Sequence, residues 1–326
     1  MGRQLCVLFS FLFTLTLSAQ DYSDLDRRVK NYPQFSSPEH LAIRISNDFS
    51  RDRDRVRAAF VWITENIDYV RTKDDFFSIN TSLIYLSPYG REFQIRKYHQ
   101  KRVQKAFDFK KGYCLDYSLI LDHLCRRFGL TSQVIEGLAK TEINDDEGKT
   151  FIKNHTWNAI YLNGEWLLMD ATWARGYYNP NTQAFVRHTD HYFFTRPEDF
   201  AKTHYPADAS WQLLDHPISQ NDFLSAPIFF PNYFKSSTKI SPETKGILEV
   251  SNRHESSLEF DYLKNKNNLS YRLQGDVQVR KLKVKKEGKT YKSWIKFGRR
   301  MRFAKLLTLF EGNTAILNFK VRPYVP

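Results

Sequence analysis

Residues 155–162 (His-Thr-Trp-Asn-Ala-Ile-Tyr-Leu) and 165–172 (Glu-Trp-Leu-Leu-Met-Asp-Ala-Thr) flank the dipeptide Asn163-Gly164. Asn-Gly between two such runs is the strongest short-range signal for a β-hairpin. A two-residue turn pairs Leu162 with Glu165. Carried along the ladder, that register sets His155 against Thr172 and Trp157 against Asp170. His155 and Asp170 then share one face as diagonal neighbours, about 7–8 Å apart at the backbone. An imidazole and a carboxylate at that spacing can hydrogen-bond. Trp157, Tyr161 and Trp166 fall on the same face, where they would wall a site and exclude water or serve as plain core.

A thiol precedes this hairpin. Lys110-Lys111-Gly112-Tyr113 breaks one segment, and Cys114 opens the next. Leu121, Leu124, Cys125 and Phe128 give that next segment an apolar helical face, and Gly129 ends it. A helix N-terminus carries free N–H groups and a partial positive charge. Both favour thiolate over thiol, and the same N–H groups can hold an oxyanion. A thiolate needs a base beside it and a third group to orient the base. Cys114, His155 and Asp170 supply these parts in order. Tyr113, Trp157 and Trp173 are the expected walls.

Composition sets the frame for this site. A chain of 326 residues suits two domains, and 41% hydrophobic with 15% aromatic content calls for packed cores. Residues 1–20 have Arg3, then an apolar run over 5–17, then Ser18-Ala19-Gln20. This reads as a secretory signal peptide, with an uncleaved anchor as the competing reading. No later run is long enough to span a bilayer. The expected location is therefore periplasmic, cell-surface or extracellular. Removal of the leader leaves Cys114 and Cys125. Eleven positions apart on one helix, their α-carbons would be about 16 Å apart. A disulfide needs less than about 7 Å. A free thiol at a helix start is unusual in an exported chain, which suggests that this one is used.

The formal charge of +13 is concentrated at one end. Residues 236–326 hold 20 Lys and Arg against 8 Asp and Glu, whereas residues 1–235 hold 29 against 28. Such a tail could meet an anionic surface, or could be a solvated lysine-rich β surface. No nucleic-acid-binding signature accompanies it, so nucleic acid is not the expected partner. His188 and His191 lack an acidic or Cys partner at metal spacing, and neither metal nor cofactor is expected. The segments divide into a leader (1–20), an α+β unit (21–234) and an all-β, sandwich-like unit (235–326). In the α+β unit, residues 52–67 read as a helix, 73–98 as an aromatic loop and 103–109 as a short helix. In the last unit, period-two alternation suggests strands near Val277, Leu282, Met301 and Ala315.

Three short pieces, Gly112-Tyr113-Cys114, His155-Thr156-Trp157-Asn158 and Asp170-Ala171-Thr172-Trp173, resemble the core motifs of transglutaminase-like proteins. Residues 192–200, His204-Tyr205-Pro206 and Trp211-Gln212-Leu213-Leu214 resemble the kyphoscoliosis-peptidase branch. The resemblance covers about residues 50–230. It implies a papain-like fold, with a Cys-bearing helix packed on an antiparallel sheet that bears His and Asp. It further implies Cys114 as nucleophile, His155 as general base and acid, and Asp170 as the orienting carboxylate. The expected activity is cysteine-type peptidase or acyltransferase action on protein or peptide amides. The alternative is a binding or scaffolding module without turnover. One departure bears on that choice: Asp116 stands where the family often has glycine, and a carboxylate facing Cys114 would oppose thiolate formation. A peptide N-glycanase would want paired Cys-x-x-Cys zinc ligands, which are missing. An arylamine acetyltransferase would want Arg-Gly before the Cys pair, and Lys111-Gly112-Tyr113 is only loosely similar.

Overall fold

The computed structural model describes residues 21–70, 88–143, 152–179, 184–187, 190–298 and 305–324. The expected leader, the loop expectation for residues 73–87, the strand expected at Met301 and His188 lie outside those residues.

Helix α1 (Ser23–Lys30) leads into α2 (Pro38–Asp48), whose start is fixed as its sequence implies. Pro38 takes the first turn, and the Ser37 side chain accepts from the His40 N–H at 3.3 Å. Helix α3 (Asp52–Asn66) buries Val56, Phe60, Trp62 and Ile63, all at most 1% exposed. Each such burial contributes about 1.5–3 kcal/mol against exposure. Strand β1 (Asp68–Tyr69) follows directly.

Helix α4 runs from Pro88 to Phe109, far longer than the short helix expected at 103–109. The sequence Ser87-Pro88-Tyr89-Gly90 suggests a turn, but Pro88 is the helix's first residue, a position where its missing N–H costs nothing. Trp62 stacks on Phe107 at 5.0 Å and ties α3 to α4. Strand β2 (Lys111–Gly112) pairs in parallel with β1, and α5 (Cys114–Arg127) begins after Tyr113. Cys114 and Cys125 are both free and share this helix.

Strands β3 (Thr131–Ala139), β4 (His155–Leu162) and β5 (Glu165–Met169) form the antiparallel sheet against which α5 packs. Asn163 and Gly164 both have positive φ, 53° and 90°, and Leu162 pairs with Glu165 as the turn dictates. The ladder stops at Asn158↔Met169. The expected pairs His155 with Thr172 and Trp157 with Asp170 do not form, because Ala171–Arg175 turns into helix α6. A small ribbon follows, β6 (Gly176–Asn179) with β7 (Ala184–Arg187). After α7 (Pro197–Phe200), strand β8 (His204–Pro206) returns to the far side of β3. The sheet order is therefore β5-β4-β3-β8.

Helix α8 (Gln220–Ser225) is clamped to the core by Lys140, whose buried ammonium donates to the carbonyls of Phe223 and Leu224. Beyond it come β9 (Ile228–Phe229), α9 (Pro231–Lys235), β10 (Thr238–Ile240), β11 (Ile247–Glu249) and β12 (Glu255–Leu263). The chain continues through β13 (Leu269–Leu273), β14 (Arg280–Lys281), β15 (Val284–Glu287), β16 (Thr290–Lys296), β17 (Lys305–Glu311) and β18 (Thr314–Arg322). Two sheets result, ordered β10-β12-β16-β15 and β11-β18-β17-β13-β14, with β9 added on β18. Phe260 and Ile295 from the first sheet share one core with Leu307, Leu317 and Phe319 from the second. This is the expected sandwich, with two differences. Residues 277–279 form no strand, and Val277 is 98% exposed. The strand expected near Leu282 is interrupted, since residues 282–283 lie between β14 and β15.

The lysines at 281, 283, 285, 286 and 289 sit in and around β15, an edge strand. Charge on an edge blocks pairing with another chain. That gives a structural role to five of the 20 basic residues of the tail.

Candidate active site

Pairing of β1 with β2 delivers the chain to Tyr113 in an extended conformation (φ −92°, ψ 176°), from which α5 starts at Cys114. Asp116 closes this corner. Its Oδ2 accepts the Tyr113 N–H at 2.8 Å, in the manner of a capping residue three positions into a helix. Gly112 is required by that fold-back, since a Cβ there would lie 2.6 Å from the Asp116 Cβ. Asp116 is also gripped by Arg102 of α4, Nε to Oδ1 and Nη2 to Oδ2, both at 2.7 Å. The carboxylate that seemed to threaten the thiolate is thus a neutralised, buried anchor for the Cys-bearing turn.

Burial pushes the Cys114 thiol up. The hydrogen bond and charge of His155, with hydrogen bonds from Thr156, outweigh it and hold the thiol below its ordinary value. His155 is buried at 7% exposure and opens β4 opposite Gly137. Its Nε2 lies 2.7 Å from Asp170 Oδ2. Nδ1 is therefore the ring nitrogen left for Cys114. Burial alone would lower the imidazole's affinity for a proton. The Asp170 charge and hydrogen bond, then Cys114, reverse this and lift it to about 10. Opposite shifts on thiol and imidazole favour a thiolate–imidazolium pair.

Asp170 is fully buried and caps α6. Its Oδ1 accepts the N–H groups of Thr172 and Trp173, at 2.8 and 3.1 Å. These bonds are why the strand ends where it does. Burial would raise this carboxyl, but His155 and then His204 hold it well below the usual carboxylate range.

The Transglutaminase-like superfamily profile matches residues 39–171, a span that includes Cys114, His155 and Asp170. The chain carries a transglutaminase-like domain. Over 251 residues it is 26% identical to the kyphoscoliosis peptidase of Homo sapiens, covering 75% of this chain and 34% of that one. It is likewise 26% identical over 244 residues to Hillarin of Drosophila melanogaster, with 69% and 27% covered. The alignments thus span about a quarter to a third of the length of these relatives. A solved TGase structure is 16% identical, covering 50% of this chain and 35% of that one with a TM-score of 0.26, a likeness too slight to build on.

Around the site, the expected walls divide. Trp173 lines the cleft beside His155, its ring 5.7 Å from the imidazole. Tyr113 stands at the thiol's turn, edge-on to Tyr69 at 6.4 Å. Trp157 is a floor rather than a wall, 1% exposed beneath the His155 ring at 6.2 Å. Tyr161 and Trp166 pack at the turn end of the hairpin with Trp211, away from the site.

Two further residues belong to the site although the sequence does not mark them as site residues. Tyr69 lines the same cleft as His155. Burial, then the nearby Cys114, raises its phenol above the ordinary value, so the hydroxyl keeps its proton. A Tyr at the end of a helix–strand corner gives no local signal of this. The other is His204, whose Nε2 lies 3.1 Å from Asp170 Oδ2.

His155, Asp170 and His204 present possible ligand atoms within 4.8 Å of one another. Two ligands on a tetrahedral zinc ion stand about 3.3 Å apart, given bonds of about 2.0–2.1 Å. Here the imidazole nitrogens approach the shared oxygen at 2.7 and 3.1 Å, the spacing of direct hydrogen bonds. The cluster fits a proton network better than a metal. His191, the other imidazole weighed as a ligand, stacks on Phe234 at 3.9 Å.

Proposed function

We propose that this protein is an exported thiol-dependent peptidase or acyltransferase acting on protein or peptide amides, with Cys114, His155 and Asp170 as its triad. The observation that carries the reading is the 2.7 Å bond from His155 Nε2 to Asp170 Oδ2, with the Cys114 thiol, at a helix N-terminus, held below its ordinary value by the same imidazole. The Cys114 thiolate attacks the amide carbonyl carbon, and the carbonyl oxygen becomes an oxyanion. The Cys114 N–H, free at the start of α5, stabilises that charge together with the Tyr69 hydroxyl. Imidazolium His155 gives its proton to the leaving amine, and an acyl-thioester remains. Neutral His155 then takes a proton from water, or from an incoming amine, as that nucleophile releases the acyl group. Asp170 keeps the ring oriented and stabilises its charged form. Export rests on the leader-like residues 1–20.

An inactive scaffolding module using the basic β unit was suggested by that unit's charge and by Asp116, and the Arg102 clamp answers the second of these grounds. The test is turnover of a peptide or protein amide library by wild type and Cys114→Ala. Loss of turnover in the variant, with trapping of a thioester in wild type, is the expected result. Equal turnover by both would overturn the reading. Adding a primary amine distinguishes the two release routes by partition, since an acyltransferase transfers the acyl group to the amine in preference to water and a peptidase chiefly to water.

A further inference from the structure

Asp170 accepts four hydrogen bonds, two on each oxygen. Oδ1 takes the two backbone N–H groups of α6, and Oδ2 takes both imidazoles. His204, at the start of β8, is 1% exposed. Its ring stacks on Phe200 at 4.1 Å and lies 4.8 Å from Trp173 and 5.0 Å from Trp157. The Thr203 hydroxyl sits 2.8 Å from Nδ1. A neutral imidazole has one donor nitrogen and one acceptor nitrogen. A carboxylate oxygen only accepts, so the proton facing Asp170 sits on Nε2. The Thr203 hydroxyl has two acceptors in reach, the Phe200 carbonyl at 3.1 Å and Nδ1 of a neutral ring at 2.8 Å, and a neutral ring takes the hydroxyl proton at Nδ1. The ionisable groups facing the ring are Asp170 and His155, with Tyr192 at 5.9 Å and His191 beyond it.

We propose that His204 is a positioning residue: held as the neutral Nε2–H tautomer between Asp170 and Thr203, it fixes the Asp170 carboxylate and shares the oxygen that grips His155. The inference rests on the reading of Asp170 as orienting carboxylate. Its consequence is a tempered pull on His155. A carboxylate oxygen that already accepts one hydrogen bond is a weaker partner for an imidazolium. Burial also holds His204 down at about 4, so the ring stays neutral where His155 is charged. One imidazole changes protonation through the cycle and the other does not.

The test is ¹⁵N NMR of the histidine rings in the full chain, alongside the pH profile of Cys114 alkylation. In wild type, His204 should appear as the Nε2–H tautomer without titrating between about pH 5 and 9. A His204 that titrates near the ordinary histidine value would overturn the proposal, whatever the variants do. His204→Phe fills the aromatic niche but removes the donor. It should raise the His155 midpoint by roughly half to one pH unit, the equivalent of one lost hydrogen bond. His204→Gln places an amide N–H near the Nε2 position and should return the midpoint towards wild type. An unchanged midpoint in a folded His204→Phe protein would overturn the proposal. A Cys114 profile that ignores His155, with the NMR shifts still present, would overturn the catalytic reading and leave the His204 arrangement standing.

Discussion

Arg102→Met is expected to destabilise the protein and to blunt its thiol at once. Arg102 and Asp116 form a bidentate pair with two bonds of 2.7 Å, and they are 9% and 2% exposed. Removing one partner of such a buried pair costs about 3–5 kcal/mol, because the other charge is left desolvated. Methionine keeps most of the apolar stem. The Tyr113 N–H and the positive end of α5 still serve Asp116 and offset about 1 kcal/mol. The net loss is therefore about 2–4 kcal/mol. For a unit of this size that lowers Tm by roughly 5–15 °C. The freed negative charge lies on the first turn of the Cys114 helix, so the thiol should shift up and alkylate more slowly at neutral pH. Urea unfolding and iodoacetamide kinetics on the same samples measure both effects. The double variant Arg102→Met, Asp116→Ala leaves neither charge buried and should recover most of the stability. A single variant that loses less than about 1 kcal/mol, or a double variant no better than the single, would refute the idea that Arg102 is what makes Asp116 tolerable.

Four further outcomes follow from the same geometry. The rate of Cys114 alkylation should rise as pH climbs through the lowered thiol value, because thiolate is then populated. The paired state should be lost as pH passes the His155 value of about 10, where the imidazolium gives up its proton; a single step at the ordinary thiol value would contradict this. Asp170→Asn keeps a cap oxygen for α6 but removes the charge that lifts His155, so kcat/KM should fall by roughly 10²–10⁴ while the fold persists by circular dichroism. Tyr69→Phe should lower kcat by about 10²–10³ with little change in the Cys114 alkylation profile, if its hydroxyl serves the oxyanion. At Gly137, opposite His155, an added Cβ would lie 2.3 Å from the Tyr205 carbonyl oxygen and 2.4 Å from Trp157 Cη2. Gly137→Ala should therefore cost at least about 1–3 kcal/mol by thermal melt and displace β8 from β3.

Local chemistry made part of this protein legible from its residues alone. Asn163-Gly164 demands a tight turn whose positive φ values other residues resist, so the hairpin and its first pairs could be read directly. Ser37-Pro38 marked one helix start, and Lys110 to Tyr113 marked the break before Cys114. The errors arose where two local signals competed. Pro88 punctuates a turn as readily as it opens a helix, and here α4 begins on it. Asp170 continues a strand pattern but also caps a helix, and its bonds to two following N–H groups decided for the cap. Ending the ladder there did not part His155 from Asp170, because the cap aims Oδ2 at the imidazole.

By itself the sequence determined the order thiol, imidazole, carboxylate, the turn that sets the last two near one another, and the helix start that carries the first. Only the tertiary structure decided what surrounds them. Arg102 reaches Asp116 from another helix, Tyr69 enters the cleft through a parallel pair of two-residue strands, and His204 meets Asp170 from the opposite edge of the sheet. Spacing along a chain records periodicity within an element. It does not record which side chains from separate elements are buried together, and burial is what turns Asp116 into an anchor and lets two imidazoles share one carboxylate oxygen.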